Sequence, residues 1–279
     1  MHWRCYRMAS SSYDKTVRLW DLQTGLEVAR LEGHAGGVNA LAVMPDGRLA
    51  SGSSDKTVRL WDLQTGAEIA RLEGHTDRVD ALAVLPDGRL ASGSQDDTIR
   101  LWNPRSGTET ARLEVHSDKS TVKNSWLESH VALTVLPDGR LASGSENDAI
   151  RLWDTKSGAE TAPFEHRSRH LALSILPDGR LVSGGKDGAI RIWDPTSGTE
   201  SARLQGHGHW VTAIAVLPNG RLASVSYGDK TIRLWELRKG VEIARLEVDS
   251  NLLCLAACPD GRLVAGDFSG RLHWLEIVV

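Results

Sequence analysis

Histidine and aspartate side chains at a few positions give this sequence its main capacity for chemistry. His130 and His170 stand at the start of predicted strands where comparable segments have valine, and Asp80 is second in another such strand. Imidazole and carboxylate groups are common metal ligands, so these three residues predict, as one alternative, a metal-dependent hydrolase. His207 and His209 add a pair at strand spacing. Because no further carboxylate or cysteine stands at ligand spacing in the sequence, we expect no metal site and no cofactor.

Sequence motifs for nucleophilic or nucleotide chemistry are not recognisable. No convincing Gly-x-Ser-x-Gly, phosphate-loop or dinucleotide-binding pattern occurs, and serine is abundant mainly in a recurring Ala-Ser-Gly-Ser segment. We therefore expect no catalytic residue and no enzymatic activity.

Charge and hydropathy limit the kinds of partner. The chain has 279 residues, with 33 Lys+Arg and 36 Asp+Glu interspersed along its length. This mixture argues against a nucleic-acid or membrane surface, although a basic groove for nucleic acid is kept as an alternative. The sequence has no apolar run of membrane-spanning length and no signal-peptide core at its start.

The cysteines give no disulfide within one strand. Cys254 and Cys258 are about 13 Å apart on a predicted strand, too far to bridge, and Cys5 is the third cysteine. We expect a soluble, reduced, cytoplasmic protein.

A repeat of about 41 residues, best seen from Arg48 to Gly88, organises the chain. Its short apolar runs are separated by turn sequences such as Thr65-Gly66 and Pro86-Asp87-Gly88, which predicts four antiparallel strands and no helix. The turn proline recurs at Pro45, Pro86, Pro137, Pro177, Pro218 and Pro259. A strand tryptophan recurs at Trp20, Trp61, Trp102, Trp153, Trp193, Trp235 and Trp274. Seven such strands predict an all-β, seven-bladed β-propeller of four-stranded sheets, with residues 1–279 as one domain.

Dipeptides at fixed places in the repeat carry a resemblance to a known family. Gly33-His34 precedes a strand that ends in Trp61-Asp62. Gly74-His75 and Gly206-His207 precede strands that end in the near matches Trp102-Asn103 and Trp235-Glu236. The pattern covers about residues 8–275 and resembles the Trp-Asp (WD) repeat family of β-propellers. The resemblance implies a buried hydrogen-bonded set of His, Asp, Ser and Trp. The implied sets are His34, Asp55 and Trp61; His75, Asp96 and Trp102; His207, Asp229 and Trp235; and His166, Asp187 and Trp193. In the last set, Gly185 stands where the repeat from Arg48 has Ser53, and we interpret all four sets as structural.

The terminal copies of the repeat are incomplete. The first copy lacks its innermost strand and the last copy lacks its outermost strand. The resemblance implies that a strand from one terminus completes the sheet at the other, a role open to residues 1–7. The alternative is six sheets, with Leu26–Leu31 as an outer strand and residues 1–21 as a hairpin outside them. We expect seven sheets, and we expect the chain, which starts within a repeat, to be part of a longer multidomain protein.

Differences among the copies point to a binding surface. The Pro-Asp-Gly and Thr-Gly turns are nearly uniform, whereas the loops after Gly-His and the turns between the second and third strands vary. We expect these variable loops to bind a protein or peptide, with Trp, Tyr and Arg as anchors. The candidate binding residues are Asp77, Arg78, Trp126, His130, Arg169, His209, Trp210 and Tyr227. Trp126 lies in an insertion that is alternatively a tolerated surface loop, and Trp210 alternatively packs over its own sheet.

Arginine and glutamate also recur on the outer strands. The arginines are Arg18, Arg59, Arg100, Arg151, Arg191 and Arg233, and the glutamates are Glu68, Glu109, Glu160, Glu200 and Glu242. We interpret them as a solvated rim of weak ion pairs. Together these features predict a non-enzymatic scaffold for protein–protein interactions, as a monomer or within a larger assembly.

Overall fold

Antiparallel strands make up the regular structure of the chain. The computed structural model describes residues 7–11, 13–115, 131–144, 150–164 and 170–277, and these residues contain no helix. The first sheet contains β1 (Arg7–Ser11), β2 (Val17–Asp21) and β3 (Glu27–Leu31). The second contains β4 (Val38–Val43), β5 (Leu49–Ser53), β6 (Val58–Trp61) and β7 (Glu68–Leu72). The third contains β8 (Val79–Val84), β9 (Leu90–Ser94), β10 (Thr98–Asn103) and β11 (Thr108–Glu114).

The remaining sheets follow the same order. The fourth contains β12 (Ala132–Val135), β13 (Leu141–Gly144), β14 (Ile150–Trp153) and β15 (Glu160–Phe164). The fifth contains β16 (His170–Ile175), β17 (Leu181–Gly185), β18 (Ile190–Trp193) and β19 (Glu200–Leu204). The sixth contains β20 (Val211–Val216), β21 (Leu222–Ser226), β22 (Thr231–Glu236) and β23 (Val241–Glu247). The seventh contains β24 (Leu252–Ala257), β25 (Leu263–Asp267) and β26 (Leu272–Leu275).

These seven sheets are the blades of a β-propeller, as the sequence predicted. Among the described residues, the first and last blades have three strands each, which confirms the expected incomplete copies. The alternative with six sheets is wrong, because β3 pairs with β2 in the first blade, with Val17 opposite Leu31.

The chain divides into two compact units. One consists of the described parts of Met1–Val135 together with Thr155–Ala159, and the other of the described parts of Leu136–Asp154 and Glu160–Val279. Both are built from the same hairpins. Gly66 and Gly88 close their turns at φ +74° and +86°, in the left-handed region that glycine enters without a steric penalty.

Successive blades are held together by apolar side chains from their outer and third strands. In the first unit, Leu31 of one blade shares a buried cluster with Trp61 of the next, and Leu72 does the same with Trp102. In the second unit the ring centroids of Phe164 and Trp193 are 5.5 Å apart. The apolar residue at the end of an outer strand is thus buried by the tryptophan of the following blade.

The last blade departs from this pattern. The repeat pattern assigns Trp274 to the recurring tryptophan position, and this assignment is wrong. Leu263 pairs with Leu275, just as Leu49 pairs with Trp61, so Leu275 holds the tryptophan position and Trp274 is one residue early. Because successive residues of a strand face opposite sides, Trp274 faces away from the side on which the other six tryptophans pack.

Candidate functional site

Buried hydrogen-bonded sets occupy three blades in the same geometry. In the third blade, His75 Nδ1 lies 2.8 Å from Asp96 Oδ2 and His75 Nε2 lies 2.7 Å from Ser92 Oγ. Trp102 Nε1 donates to the same Ser92 Oγ at 2.8 Å. The equivalent sets are His34, Asp55, Ser51 and Trp61, and His207, Asp229, Ser224 and Trp235.

One direction of donation satisfies every atom in such a set. Trp102 Nε1–H donates to the serine oxygen, the Ser92 hydroxyl donates to His75 Nε2, and His75 Nδ1–H donates to the aspartate. The His75 side chain is 1% exposed, so the set lies inside the blade and orients the loop after Gly-His.

Burial and hydrogen bonding set the ionisation of the other two sets. Burial lowers the pKa of His34 and of His207, and this effect outweighs the opposing effect of the hydrogen bonds that these imidazoles donate to the aspartates. Burial alone would raise the pKa of Asp55. Hydrogen bonds from Thr57, His34 and the Ala35 N–H outweigh it and hold that pKa at about 2. The stable state is therefore a neutral imidazole beside an ionised carboxylate.

The serine of the set is Ser51 and not Ser53, so Gly185 has no bearing on the fourth implied set. Ser53 Oγ instead donates to the Gly36 carbonyl at 3.1 Å. In the fifth blade, Trp193 Nε1 donates to Ser183 at 2.8 Å, whereas Asp187 binds Arg191. His166 lies outside the described residues.

The recurring arginines are not a solvated rim, and that interpretation is wrong. Arg59, Arg100, Arg191 and Arg233 are between 3% and 6% exposed, while Arg18 and Arg151 are half-buried. Arg100 Nη1 donates to Glu109 Oε2 at 2.7 Å, and its Nη2 lies 3.9 Å from Asp96. The guanidinium is covered because it lies between the carboxylate of the set and the glutamate of the outer strand, which neutralise it there.

The variable loops share one backbone frame. In four blades, the first residue of the turn between the second and third strands donates its N–H to the carbonyl of the residue just before the inner strand. The bonds are Ser54 to Gly37 at 2.8 Å, Gln95 to Arg78 at 3.1 Å, Tyr227 to Trp210 at 2.9 Å and Phe268 to Asn251 at 2.8 Å. We call the side chains at these paired positions the loop surface, and they differ among these four blades while the backbone bond is the same.

An aromatic cluster forms the loop surface of the sixth blade. Trp210 stacks on Tyr227 with ring centroids 6.1 Å apart and an interplanar angle of 26°. His209 lies 5.1 Å from Trp210, and Lys186 Nζ lies 4.6 Å from the Trp210 ring centroid. A Cβ at Gly228 would lie 2.3 Å from His209 Cγ, so glycine is needed for the imidazole to approach. All three rings are half-buried, and each leaves part of its surface open.

A polar cluster forms the corresponding part of the third blade. Arg78 Nε lies 3.1 Å from Asp80 Oδ1, and Gln95 Nε2 donates to Asp80 Oδ2 at 3.2 Å. Asn39 Nδ2 donates to the Val79 carbonyl at 3.0 Å, across to the next blade. Burial raises the pKa of Asp80 to about 6, against the opposing effect of Arg78. Asp80 thus holds Arg78 in place, and its carboxylate is already engaged.

The structure brings together some of the predicted binding residues. Asp77 and Arg78 are adjacent on one loop, and His209, Trp210 and Tyr227 form one cluster. Trp126, His130 and Arg169 lie outside the described residues, and the side chain of His170 is not described. Within the described ranges, no group of three or more His, Cys, Asp and Glu side chains is placed to hold a metal ion. The described part of the chain also has no helix long and apolar enough to span a membrane.

Two features were missed by sequence reasoning. Lys186 occupies the same turn position as Tyr227, one blade earlier, and this shared position is the signal that could have placed it at the cluster. In the last blade, His273 Nε2 lies 2.8 Å from Asp267 Oδ2. The strand register places His273 at the position that Arg59 holds in the second blade. Neither residue matches the repeat, so pattern matching passed over both.

Matches to known proteins agree with this architecture. The model of the family described as WD domain, G-beta repeat matches residues 2–21, 25–62, 66–103, 113–154, 162–194 and 198–236, more than half of the chain. Coronin-7 of Mus musculus is 58% identical over 41 residues, which are 15% of this chain and 4% of coronin-7.

Two fungal proteins give matches of similar extent. Nuclear distribution protein PAC1 of Coprinopsis cinerea is 51% identical over 41 residues, covering 15% of this chain and 9% of PAC1. Mitochondrial division protein 1 of Mycosarcoma maydis is 56% identical over 36 residues, covering 13% of this chain and 4% of that protein. The chain thus spans less than a tenth of each of these relatives, and the family match supports a general role as a protein-interaction scaffold. The repeats, the blades and the family match together show that the chain belongs to the WD-repeat family of β-propellers.

Proposed function

We propose that this chain is a non-enzymatic scaffold that binds a protein or peptide on its loop surface. The observation that carries the proposal is the shared backbone frame of four blades, in which the side chains differ from blade to blade. Side chains that maintain the fold recur from copy to copy, as the buried Trp–Ser–His–Asp sets do. The loop side chains need not be the same in each copy, because main-chain hydrogen bonds hold the loop frame.

The sixth blade supplies the best anchor for a partner. Trp210, Tyr227 and His209 present large, partly open rings that are already fixed against one another, so little side-chain entropy is lost on binding. Lys186 adds a cation beside them. A peptide with an apolar or aromatic side chain next to a carboxylate fits this combination.

The third blade supplies a different kind of contact. Arg78 is held by Asp80, is half-buried, and lies next to the exposed Asp77. Because this loop is polar, we expect it to contribute more to specificity than to affinity. The proposal places the protein in the cytoplasm and includes no nucleic acid, membrane or cofactor.

Peptides selected from a random display library on the immobilised chain provide the probe for a test. Their dissociation constants would be measured for the wild type and for Trp210→Ala, Tyr227→Ala and Arg78→Ala. Lys239→Ala is the matched control, since Lys239 is exposed at the opposite end of β22 in the same blade. We expect the Trp210 and Tyr227 variants to weaken binding about tenfold or more. Unchanged affinity in these variants, or an equal loss in the control, would refute the assigned surface.

A further inference from the structure

The turn between the second and third strands is one residue longer in the sixth blade than in the second and third blades. In those two blades, the histidine and the aspartate of the buried set are 21 residues apart, whereas His207 and Asp229 are 22 apart. Tyr227 keeps the backbone bond to Trp210 that marks the first residue of the turn, so the additional residue follows it. That residue is Gly228.

In the shorter turns, a serine hydroxyl ties the turn to the loop that precedes the inner strand. Ser94 Oγ donates to the Asp77 carbonyl at 3.0 Å and accepts a hydrogen bond from the Asp96 N–H at 3.2 Å. Ser53 makes the same two bonds in the second blade, at 3.1 Å and 3.0 Å. The second bond joins the serine to the residue two positions later, a spacing that hydroxyl groups commonly use in turns. We call this pair of bonds the serine clamp.

The sixth blade has the serine but lacks the clamp. The strand register places Ser226 at the position of the clamping serine. Ser226 is 0% exposed, and no described residue forms a hydrogen bond with its hydroxyl. Because of Gly228, Asp229 is the third residue after Ser226 and not the second, so the spacing of the clamp is lost. A buried hydroxyl without a partner destabilises a fold, so the additional residue has a cost.

The aromatic cluster lies where the additional glycine makes room. The His209 imidazole lies against Gly228, and a Cβ at Gly228 would overlap it. The ring centroid of His209 is 5.1 Å from that of Trp210 and 6.3 Å from that of Tyr227. His209 Nδ1 is a second buried atom that no described residue bonds. Two orphaned polar atoms thus lie near one glycine, beside the rings that anchor a partner, and proteins retain such local costs mainly where function requires the arrangement.

We propose that Gly228 is a positioning residue for the binding site of the sixth blade, because it prevents the serine clamp and allows His209 to pack against the two rings that anchor a partner. This role rests on the proposed function and names the residue that sets the sixth blade apart from the second and third. Deletion of Gly228 should therefore stabilise the fold and weaken binding. A residue with a merely structural role would change both in the same direction.

Urea denaturation tests whether Gly228 prevents the clamp. The chains are the wild type, Ser226→Ala, a variant that lacks Gly228, and the variant with both changes. We expect deletion of Gly228 to raise the urea midpoint, because Ser226 can then bond as Ser94 does. Ser226→Ala should not lower the midpoint of the wild type, but it should lower that of the deletion variant. A shorter loop alone can raise the midpoint, so this dependence on Ser226 is the decisive result.

Binding of a library-selected peptide tests the positioning role. We expect deletion of Gly228 to raise the dissociation constant about tenfold or more, although the variant is more stable. Ser226→Ala is the matched control, since Ser226 is buried and its substitution in the wild type should leave the affinity unchanged.

Three results would overturn the inference. The first is a lower urea midpoint after deletion of Gly228, and the second is an effect of Ser226→Ala that is the same with and without Gly228. The third is unchanged peptide affinity in the deletion variant. Failure to select any peptide would refute the proposed function and with it the binding role of Gly228, whereas the urea midpoints would still show whether Gly228 prevents the clamp.

Discussion

Arg100 Nη1 donates to Glu109 Oε2 at 2.7 Å, and Arg100, which is 5% exposed, lies between the outer strand and Asp96. This pair connects the third and fourth strands of its blade. The same glutamate also binds Arg112 at 3.0 Å, but Arg112 is exposed. The Glu109 carboxylate is therefore paired with one buried arginine, Arg100, and one exposed arginine, Arg112. Substitutions of these two arginines can be compared directly.

Arg100→Ala should lower the free energy of unfolding by about 3 kcal/mol, because Asp96 and Glu109 lose a buried countercharge. Arg112→Ala should lower it by less than about 0.5 kcal/mol, since exposed ion pairs contribute little. Urea denaturation followed by tryptophan fluorescence measures both. Equal losses in the free energy of unfolding for the two variants would instead support the solvated rim that the sequence predicted.

Ser92→Ala should destabilise the chain by about 2–4 kcal/mol, because Trp102 Nε1 and His75 Nε2 both lose a partner in a buried site. Ser10→Ala is the matched control, because Ser10 accepts a hydrogen bond from Trp20, which is half-buried. Ser10→Ala should lower the free energy of unfolding by about 1 kcal/mol. Thermal unfolding of the two variants under identical conditions would show the difference, and a Ser10 variant as damaged as the Ser92 variant would contradict it.

Acid should destabilise the fold in two steps. The pKa of His34 and of His207 is lower in the folded chain than in the unfolded chain, so their contribution is lost as the pH falls below about 6.5. The pKa of Asp55 is held at about 2, so its contribution is lost as the pH falls from about 4 through that value.

Urea midpoints at pH 8, 6.5 and 5 test the first step. His34→Gln should be less stable at pH 8 but should lose less stability between pH 8 and pH 5 than the wild type. A wild-type midpoint that does not fall over this range would be inconsistent with buried neutral imidazoles.

Asp80→Asn should stabilise the chain at pH 8, by about 1–3 kcal/mol. The folded-state pKa of Asp80 is raised to about 6, so ionised Asp80 destabilises the fold above that pH and protonated Asp80 does not. Asparagine keeps an oxygen for Arg78 and Gln95 without the buried charge. The advantage over the wild type should disappear as the pH approaches 4, and an advantage that is the same at pH 8 and pH 4 would contradict this origin.

Strand number and blade number were predictable because turn chemistry repeats. Pro86-Asp87-Gly88 and Thr65-Gly66 impose tight reversals at fixed intervals, and the alternating runs between them suit strands alone. The same repetition shows that the terminal copies are incomplete. Regular features of this kind depend on local sequence, so one sequence is enough to predict them.

Features that depend on register or on neighbouring blades were not predictable. Trp274 matches the repeat by residue type, but pairing of Leu263 with Leu275 moves it to the other face of its strand. Arg59 alternates with apolar residues as an exposed residue would, yet it is buried between Glu68 and Asp55. The stacking of Trp210 on Tyr227 joins two loops of one blade, and adjacency of that kind appears only after folding.

Hydrogen–deuterium exchange on the chain with and without a saturating library-selected peptide tests the central claim most directly. The account predicts slower exchange of the loop amides at His209, Trp210 and residues 227–230 on binding, and no change at the turn around Lys239. Protection confined to the Pro-Asp-Gly and Thr-Gly turns, with the loop amides unaffected, would contradict it.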